Sequence, residues 1–334
     1  MRLGHVISYV VNTPWAILPE KMSVILDLLA FHAVGGQYTV EEIRERIGVQ
    51  HPATGIHDAR VAFAAEDPHV YPVAASQAER PSGVGVAVLP VYGVIHQRAN
   101  LMTDTSGGTS VERLTAQFRQ ALADPSVGAV VLDVDSPGGA VPGIEELSAE
   151  MHGARGSKPI LAVANSLAAS AAYWIATAAD EVVVTPSGEV GSIGVFAVHE
   201  DFSAALEAEG VRVTLISAGK FKMEGNPYEP LGEVAREALQ ARVDDYYGMF
   251  VKAVARNRGV TAKDVREGFG EGRVVGAGEA KRLGMVDRVE TFDAAVARLL
   301  QRVNASARRR TSPQARTSAM GMETRQRRVR ARLR

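Results

Sequence analysis

The chain has 334 residues, 46% of them hydrophobic, a formal net charge of −1 and no cysteine. It is long enough to bury a sizeable core with appendages, and the missing thiols exclude disulfides, thiolate catalysis and cysteine metal sites. The near-zero charge hides an asymmetry: residues 301–334 carry eleven arginines against the single acid Glu323, so the remainder is acidic.

The opening stretch "MRLGHVISYVVNTPWAILPEKMSVILDLLAF" starts like a weak signal peptide, but Pro14, Pro19, Glu20 and Lys21 interrupt it before a spanning length accumulates, so no export signal is expected. Helical patterns follow over 19–33 and 40–47, the second opened by a capping box of Thr39 and Glu42. This predicts a small helical N-terminal module over residues 1–75. Residues 51–83 mix proline, alanine and charges without a sustained period and read as a linker, with a domain boundary near 75–83.

From residue 84 the texture changes to β-branched runs, "VGVAVLPVYGVI", "GAVVLDVD", "PILAVA", "EVVVTP" and "VRVTLIS", separated by helical stretches such as 110–123, 142–152 and 232–257. Strands alternating with helices predict an α/β domain, over 84–298, around a largely parallel buried sheet. Residues 161–179 are alanine-rich but contain Asn165, Ser166, Ser170 and Thr177, too weakly apolar for a membrane span. The tail from 299 to 334 is too polar and basic to bury a core and is expected to be disordered in isolation.

Functional groups of open α/β sheets collect where strands end at their carboxyl edge. One such exit is "VVLDVDSPGGAVPGIEEL", where Gly138 and Gly139 follow Asp135-Ser136-Pro137 and precede a helix. Two glycines at a helix entry can aim backbone N–H groups at a forming anion, although glycine turns are common without such a role. A second exit, "PILAVANSLAAS", delivers Ser170 to the start of the helix "AAYWIATAA". A serine beside unpaired helix N–H groups suits a nucleophile, and equally suits an ordinary N-cap.

A serine nucleophile needs a base. His96, His152 and His199 are the histidines of the α/β region, and none stands in a recognisable turn motif. The third exit, "VRVTLISAGKFKMEGNP", places Lys220 and Lys222 beside Gly219, Phe221 and Met223. A lysine buried in apolar surroundings is held neutral by desolvation and can accept the serine proton, whereas two surface lysines on a loop are the plainer reading. In an extended segment both lysines face the same side, so spacing does not choose between them. Ser192, in "SGEVGSIGVF", sits between glycines where its hydroxyl can orient an amine, or simply serve a turn.

Taken together, "DSPGG", "SLAASAAYW", "GSIGV" and "GKFK" resemble, in order and spacing, the signal peptide peptidase A family of serine proteases over residues 84–298. That resemblance implies the Clp protease/crotonase-like spiral of β-β-α units, with Ser170 as nucleophile, Lys222 as general base and Ser192 as its orienting hydroxyl. It further implies an oxyanion hole from Gly139, Gly138 and the Ser170 N–H, and no metal or cofactor. Where the family often continues "SGGYY", this chain has Ser170-Ala171-Ala172-Tyr173-Trp174. The "NTPWAILPEKM" start, the loop "ANLMTDTSGGTS" and the arginine tail are similar to head maturation proteases of tailed bacteriophages. This implies a homo-oligomeric endopeptidase acting on scaffold or capsid polypeptides in the host cytoplasm or procapsid interior. Alternatives are a cellular protease of the same family without a membrane anchor and a crotonase-like acyl-CoA enzyme, which would not need Ser170 or Lys222. A non-catalytic scaffold protein whose tail contacts acidic surfaces or nucleic acid is the remaining one.

Overall fold

The computed structural model describes residues 13–23, 25–26, 60–62, 84–98 and 108–311. The helix expected at 40–47, the end of the one at 19–33, most of the 51–83 linker and the tail beyond 311 lie outside the described residues.

The main sheet is built from the β-branched runs. Strands β3 (Gly85–Tyr92), β6 (Val127–Ser136) and β8 (Ile160–Ala169) pair in parallel. At one edge β2 (Arg60–Ala62) pairs antiparallel with β3. Beyond β8 the sheet forks. Leu161–Ala164 pair with β9 (Glu181–Val184), while Leu167–Ala169 pair with β10 (Glu189–Gly191), which continues to β11 (Val274–Gly276). The short β12 (Arg288–Val289) pairs with β9.

Alternation along β6 divides two cores. Val130, Leu132 and Val134 face one buried cluster, and Ala129 and Val131 face another. The first is covered by α1 (Val111–Ala123), α2 (Ile144–Gly153), α3 (Ala171–Thr177) and α5 (Glu233–Arg258), with Phe118, Leu147, Trp174 and Phe250 among its buried residues. The second lies under α8 (Phe292–Thr311), through Ala295, Val296, Leu299, Leu300 and Val303. Burial on both faces explains why the strands read as continuous apolar runs. Between these lie α4 (Ser203–Ala208), α6 (Ala262–Gly268) and α7 (Ala277–Arg282). The boundary read at 298 falls inside α8, because Leu299, Leu300 and Val303 continue its apolar stripe against the sheet.

A second, small sheet has the order β1-β7-β4-β5, from Trp15–Ile17, Gly138–Ala140, Ile95–His96 and Thr109–Ser110. Its β1 comes from the stretch assigned to a helical module, so this part of the module is built into the α/β domain. The expected strand "VRVTLIS" is not formed: 211–217 is exposed except for the half-buried Leu215 and has no sheet partner among the described residues, with Ile216 94% exposed. A strand needs a neighbour for its N–H and C=O groups, and none is supplied here. Among the described residues no helix is long and apolar enough to cross a membrane, and no group of three or more His, Cys, Asp or Glu is placed to hold a metal.

His96, in β4, is fully buried, with the Trp15 ring edge-on at 6.1 Å. Burial pushes its pKa down to about 4 from 6.5. The unfolded chain therefore binds the proton more readily, so the stabilising contribution is complete above pH 6.5 and is lost as pH falls towards 4. We expect about 3 kcal/mol less of pH-dependent destabilisation over that window in His96→Leu than in the parent chain, read from urea unfolding at a series of pH values.

Candidate active site

The Ser170 elbow follows from the fork in β8. Pairing with β10 keeps Leu167–Ala169 extended beyond the end of the β9 ladder, and the Ser170 N–H then donates to the Gly191 carbonyl at 2.7 Å. At Ser170 the chain turns with φ +54 and ψ −119 and enters α3, whose Trp174 N–H donates to the Ser170 carbonyl at 2.9 Å. Among the described residues four non-glycines have positive φ, and three of them are Ser166, Ser170 and Ser192 around this elbow. Backbone strain of this kind costs about 1–3 kcal/mol per residue and persists only where the surroundings enforce it.

The ordinary capping role is not what the Ser170 hydroxyl performs. It makes no capping bond to its own helix and instead donates to the Gly194 carbonyl at 3.4 Å. Ser170 is 1% exposed. Its own N–H is engaged with Gly191, whereas the N–H groups of Ala171 and Ala172 open a helix that offers them no acceptor. Sequence reasoning passed over Ala171 because an alanine carries no chemistry except through its backbone.

Helix α3 is buried along its whole length and fixed at both ends. Trp174 stacks on Phe250 with ring centroids 4.5 Å apart and donates to Glu145 at 3.2 Å. At its carboxyl end the Arg155 guanidinium donates to the carbonyls of Thr177, Ala178 and Ala179 at 2.7 to 3.0 Å, and Asn257 donates to the Thr177 hydroxyl at 3.0 Å. These donors satisfy orphan carbonyls of the helix end and place positive charge there.

The two glycines differ from their expected setting. They do not stand at a helix entry: Gly138–Ala140 form β7, and α2 begins only at Ile144 behind Gly143. Gly138, at φ +98, donates its N–H to the Ser136 hydroxyl at 3.1 Å, and that hydroxyl donates to the Gly93 carbonyl at 2.6 Å. A Cβ on Gly138 would lie 2.2 Å from the Ala16 carbonyl oxygen and 3.0 Å from the Ser170 Cβ. Gly139 is as tightly held, with the Ile95 carbonyl oxygen 2.0 Å from any Cβ there. Glycine is required at both positions by close approach of backbone.

The structure thus brings Gly138, Gly139, Ser170 and, through the Gly191 peptide, Ser192 into one neighbourhood. Ser192 is buried at φ +52 and donates its N–H to the Arg273 carbonyl at 2.8 Å. Lys220 and Lys222 are exposed on a turn within the arm 199–232, not buried and not extended, so the alternation argument does not apply to them. The Lys220 ammonium lies 4.7 Å from the centre of the Phe221 ring. None of the three histidines is the partner of the Ser170 hydroxyl. His96 sits in β4, His152 in α2, and the His199 ring pairs with the Asn226 carbonyl at 3.1 Å.

Residues 153–306 match the model of peptidase family S49. The chain is 32% identical to "Capsid assembly protease C" of Escherichia phage lambda over 86% of its own length and 63% of that protein. It is 30% identical to "Head-tail preconnector protein GP5" of Enterobacteria phage P21 over 93% of its length and 60% of that protein. With "Protease 4" of Salmonella typhi the identity is 33%, over 58% of this chain and 31% of that one. The chain therefore spans about three fifths of the two phage proteins.

The contacts of Gly138 generate a stability prediction. Gly156, at φ +84, has nothing within 4 Å of a Cβ, so Gly156→Ala carries backbone strain alone. Gly138→Ala adds the clash with Ala16 and Ser170, and should cost about 2 kcal/mol more than Gly156→Ala in urea unfolding. Equal costs would mean that the Ala16 strand and the elbow yield freely.

Proposed function

From a chain carrying a peptidase family S49 domain over residues 153–306, we propose a serine endopeptidase that uses Ser170 as nucleophile, Lys222 as general base and Ser192 to orient the lysine. The observation that carries this reading is the Ser170 hydroxyl itself: held at a strained strand-to-helix elbow, it leaves its own helix uncapped. A structural serine at that position would make the cap.

In the reaction the neutral Lys222 amine takes the Ser170 proton, and the alkoxide attacks a peptide carbonyl carbon. The developing oxyanion is held by the Gly139 N–H and by the amide dipoles at the start of α3. Ser170 is the donor suggested by resemblance there; Ala171 is favoured by the engagement of the Ser170 N–H with Gly191. Gly138 leaves room for the substrate backbone. Collapse breaks the C–N bond, Lys222 gives its proton to the leaving amine, and a water deprotonated by the same lysine hydrolyses the acyl-enzyme. No step requires a metal or cofactor.

Lysine serves as a base only when its ammonium is stripped of water. Lys222 stands on an exposed arm whose row of Val211, Val213, Ile216 and Phe221 is also exposed. Burying each such side chain is worth about 1.5–3 kcal/mol, which favours docking of the arm on a second copy. We infer that Ser170 of one copy meets Lys222 of another in a homo-oligomer. The name of the lambda relative, a capsid assembly protease, supports capsid polypeptides as substrates. The proposal extends to scaffold polypeptides and to an arginine-rich tail that contacts acidic protein surface or nucleic acid in a procapsid.

Ser170→Ala and Lys222→Ala should each lower cleavage of a co-expressed capsid or scaffold polypeptide at least a thousandfold, and Lys220→Ala by less than tenfold. Mixing the two inactive variants should restore about a quarter of parent activity, because random pairing joins an intact Ser170 to an intact Lys222 at some interfaces. Equal loss at Lys220 and Lys222 would remove Lys222 as the base, and absence of restoration would place both groups in one chain.

A further inference from the structure

Ser170 is 1% exposed, and a strand of the same chain runs beside its neighbour Gly138. Segment 14–18 lies antiparallel to 137–141, with Trp15 opposite Ala140, Ala16 opposite Gly139 and Ile17 opposite Gly138. The Leu18 N–H donates to the Pro137 carbonyl at 3.0 Å and the Val141 N–H to the Pro14 carbonyl at 3.2 Å. In an antiparallel ladder hydrogen-bonded pairs recur every second residue, so Ala16 and Gly139 form the hydrogen-bonded pair between those two. The Gly139 N–H, which the proposed reaction needs for its oxyanion, is therefore directed at the Ala16 carbonyl. That carbonyl oxygen and the Ser170 Cβ both lie within 3.0 Å of the point that a Cβ on Gly138 would take.

On its other edge the strand meets Phe196, with Trp15 N–H to Phe196 carbonyl at 2.9 Å and Phe196 N–H to Trp15 carbonyl at 3.0 Å. Phe196 is two residues from Gly194, the acceptor of the Ser170 hydroxyl. The segment thus fills a slot with strand-pairing backbone on both sides and the nucleophile at its floor. It is also held less firmly than its burial suggests. Pro14 and Pro137 lack N–H groups, so the two outer hydrogen-bonded pairs of the ladder contribute one bond each.

Resting on the reading of Ser170 as nucleophile, we propose that this slot is the peptide-binding site, and that Pro14–Leu18 is an intramolecular latch that must leave it before substrate enters. The substrate class follows from the occupant: an extended polypeptide bound by strand addition, with a small residue at the position of the fully buried Ala16.

Trp15 and Ala140 form a non-hydrogen-bonded pair, whose Cα separation of about 4.5 Å suits a disulfide. The chain has no other cysteine, so Trp15→Cys with Ala140→Cys can lock or release the latch within one protein. In the full chain also carrying Ser170→Ala, a fluorescent peptide with the sequence of residues 13–20 should bind the reduced form at least tenfold more tightly than the oxidised form. Equal binding, or no binding by the reduced form, overturns the latch. With Ser170 intact, the reduced form should cleave unfolded casein at least tenfold faster than the oxidised form, and equal, measurable rates again overturn it. Redox-dependent peptide binding without cleavage by any form, the parent included, would retain the slot and refute the proteolytic reading. Should the double variant not fold, Ala16→Pro in the full chain removes the central N–H of the ladder. It should raise peptide binding at least threefold over the parent, and no increase overturns the proposal.

Discussion

Along β8 the chain exchanges one neighbour for another: Leu161–Ala164 are held by β9 and Leu167–Ala169 by β10, with the Ser170 N–H closing the second ladder on Gly191. The exchange decides where the strand can stop. Beyond Gly191 the partner offers no further parallel pairing, so the chain must turn at Ser170, and the close packing of α3 leaves the turn no slack. The same bond draws Ser192 into place, since it follows Gly191 and is fixed in turn by Arg273. Site geometry is therefore a consequence of sheet topology rather than of contacts among the polar side chains.

The alanines around Ser170 have a matching explanation. α3 runs between β7, β8, α2 and α5 with every residue buried, and small side chains let its backbone approach those elements closely. Trp174 and Tyr173 supply the bulk, one stacked on Phe250 and the other donating its hydroxyl to the Met285 carbonyl at 2.8 Å. Arg155 and Asn257 close the far end by hydrogen bonds to three carbonyls and a hydroxyl. A helix fixed in this way holds its first amides steady, as the proposed oxyanion site requires.

Much of this was legible in the sequence because period and composition report burial. The β-branched runs became β3, β6, β8 and β9, and the long helical stretch at 232–257 became α5, Glu233–Arg258. Ser170 stood out as a polar residue at the one point where an apolar strand gives way to a buried helix. What sequence could not supply was pairing at a distance. "VRVTLIS" has the composition of a strand, but composition does not provide a neighbour. The glycine pair looked like a helix entry because nothing local reveals that Ala16 and Ile95 press on it from either side. The Trp15–Ile17 strand carries a faint sign, four apolar residues bracketed by Pro14 and Pro19, which suits an edge strand better than a helix.

Helix α8 covers the sheet face opposite the elbow, and its stripe of Ala295, Val296, Leu299, Leu300 and Val303 supplies one side of the second core. The polypeptide that leads to the arginine-rich extension is thereby part of the folding unit. A pull on the carboxyl half of α8 would draw directly on the layer beneath β3, β6, β8 and β9. Up to Val303, α8 is therefore the cover on the back of the sheet that carries Ser170 and not an appendage to it.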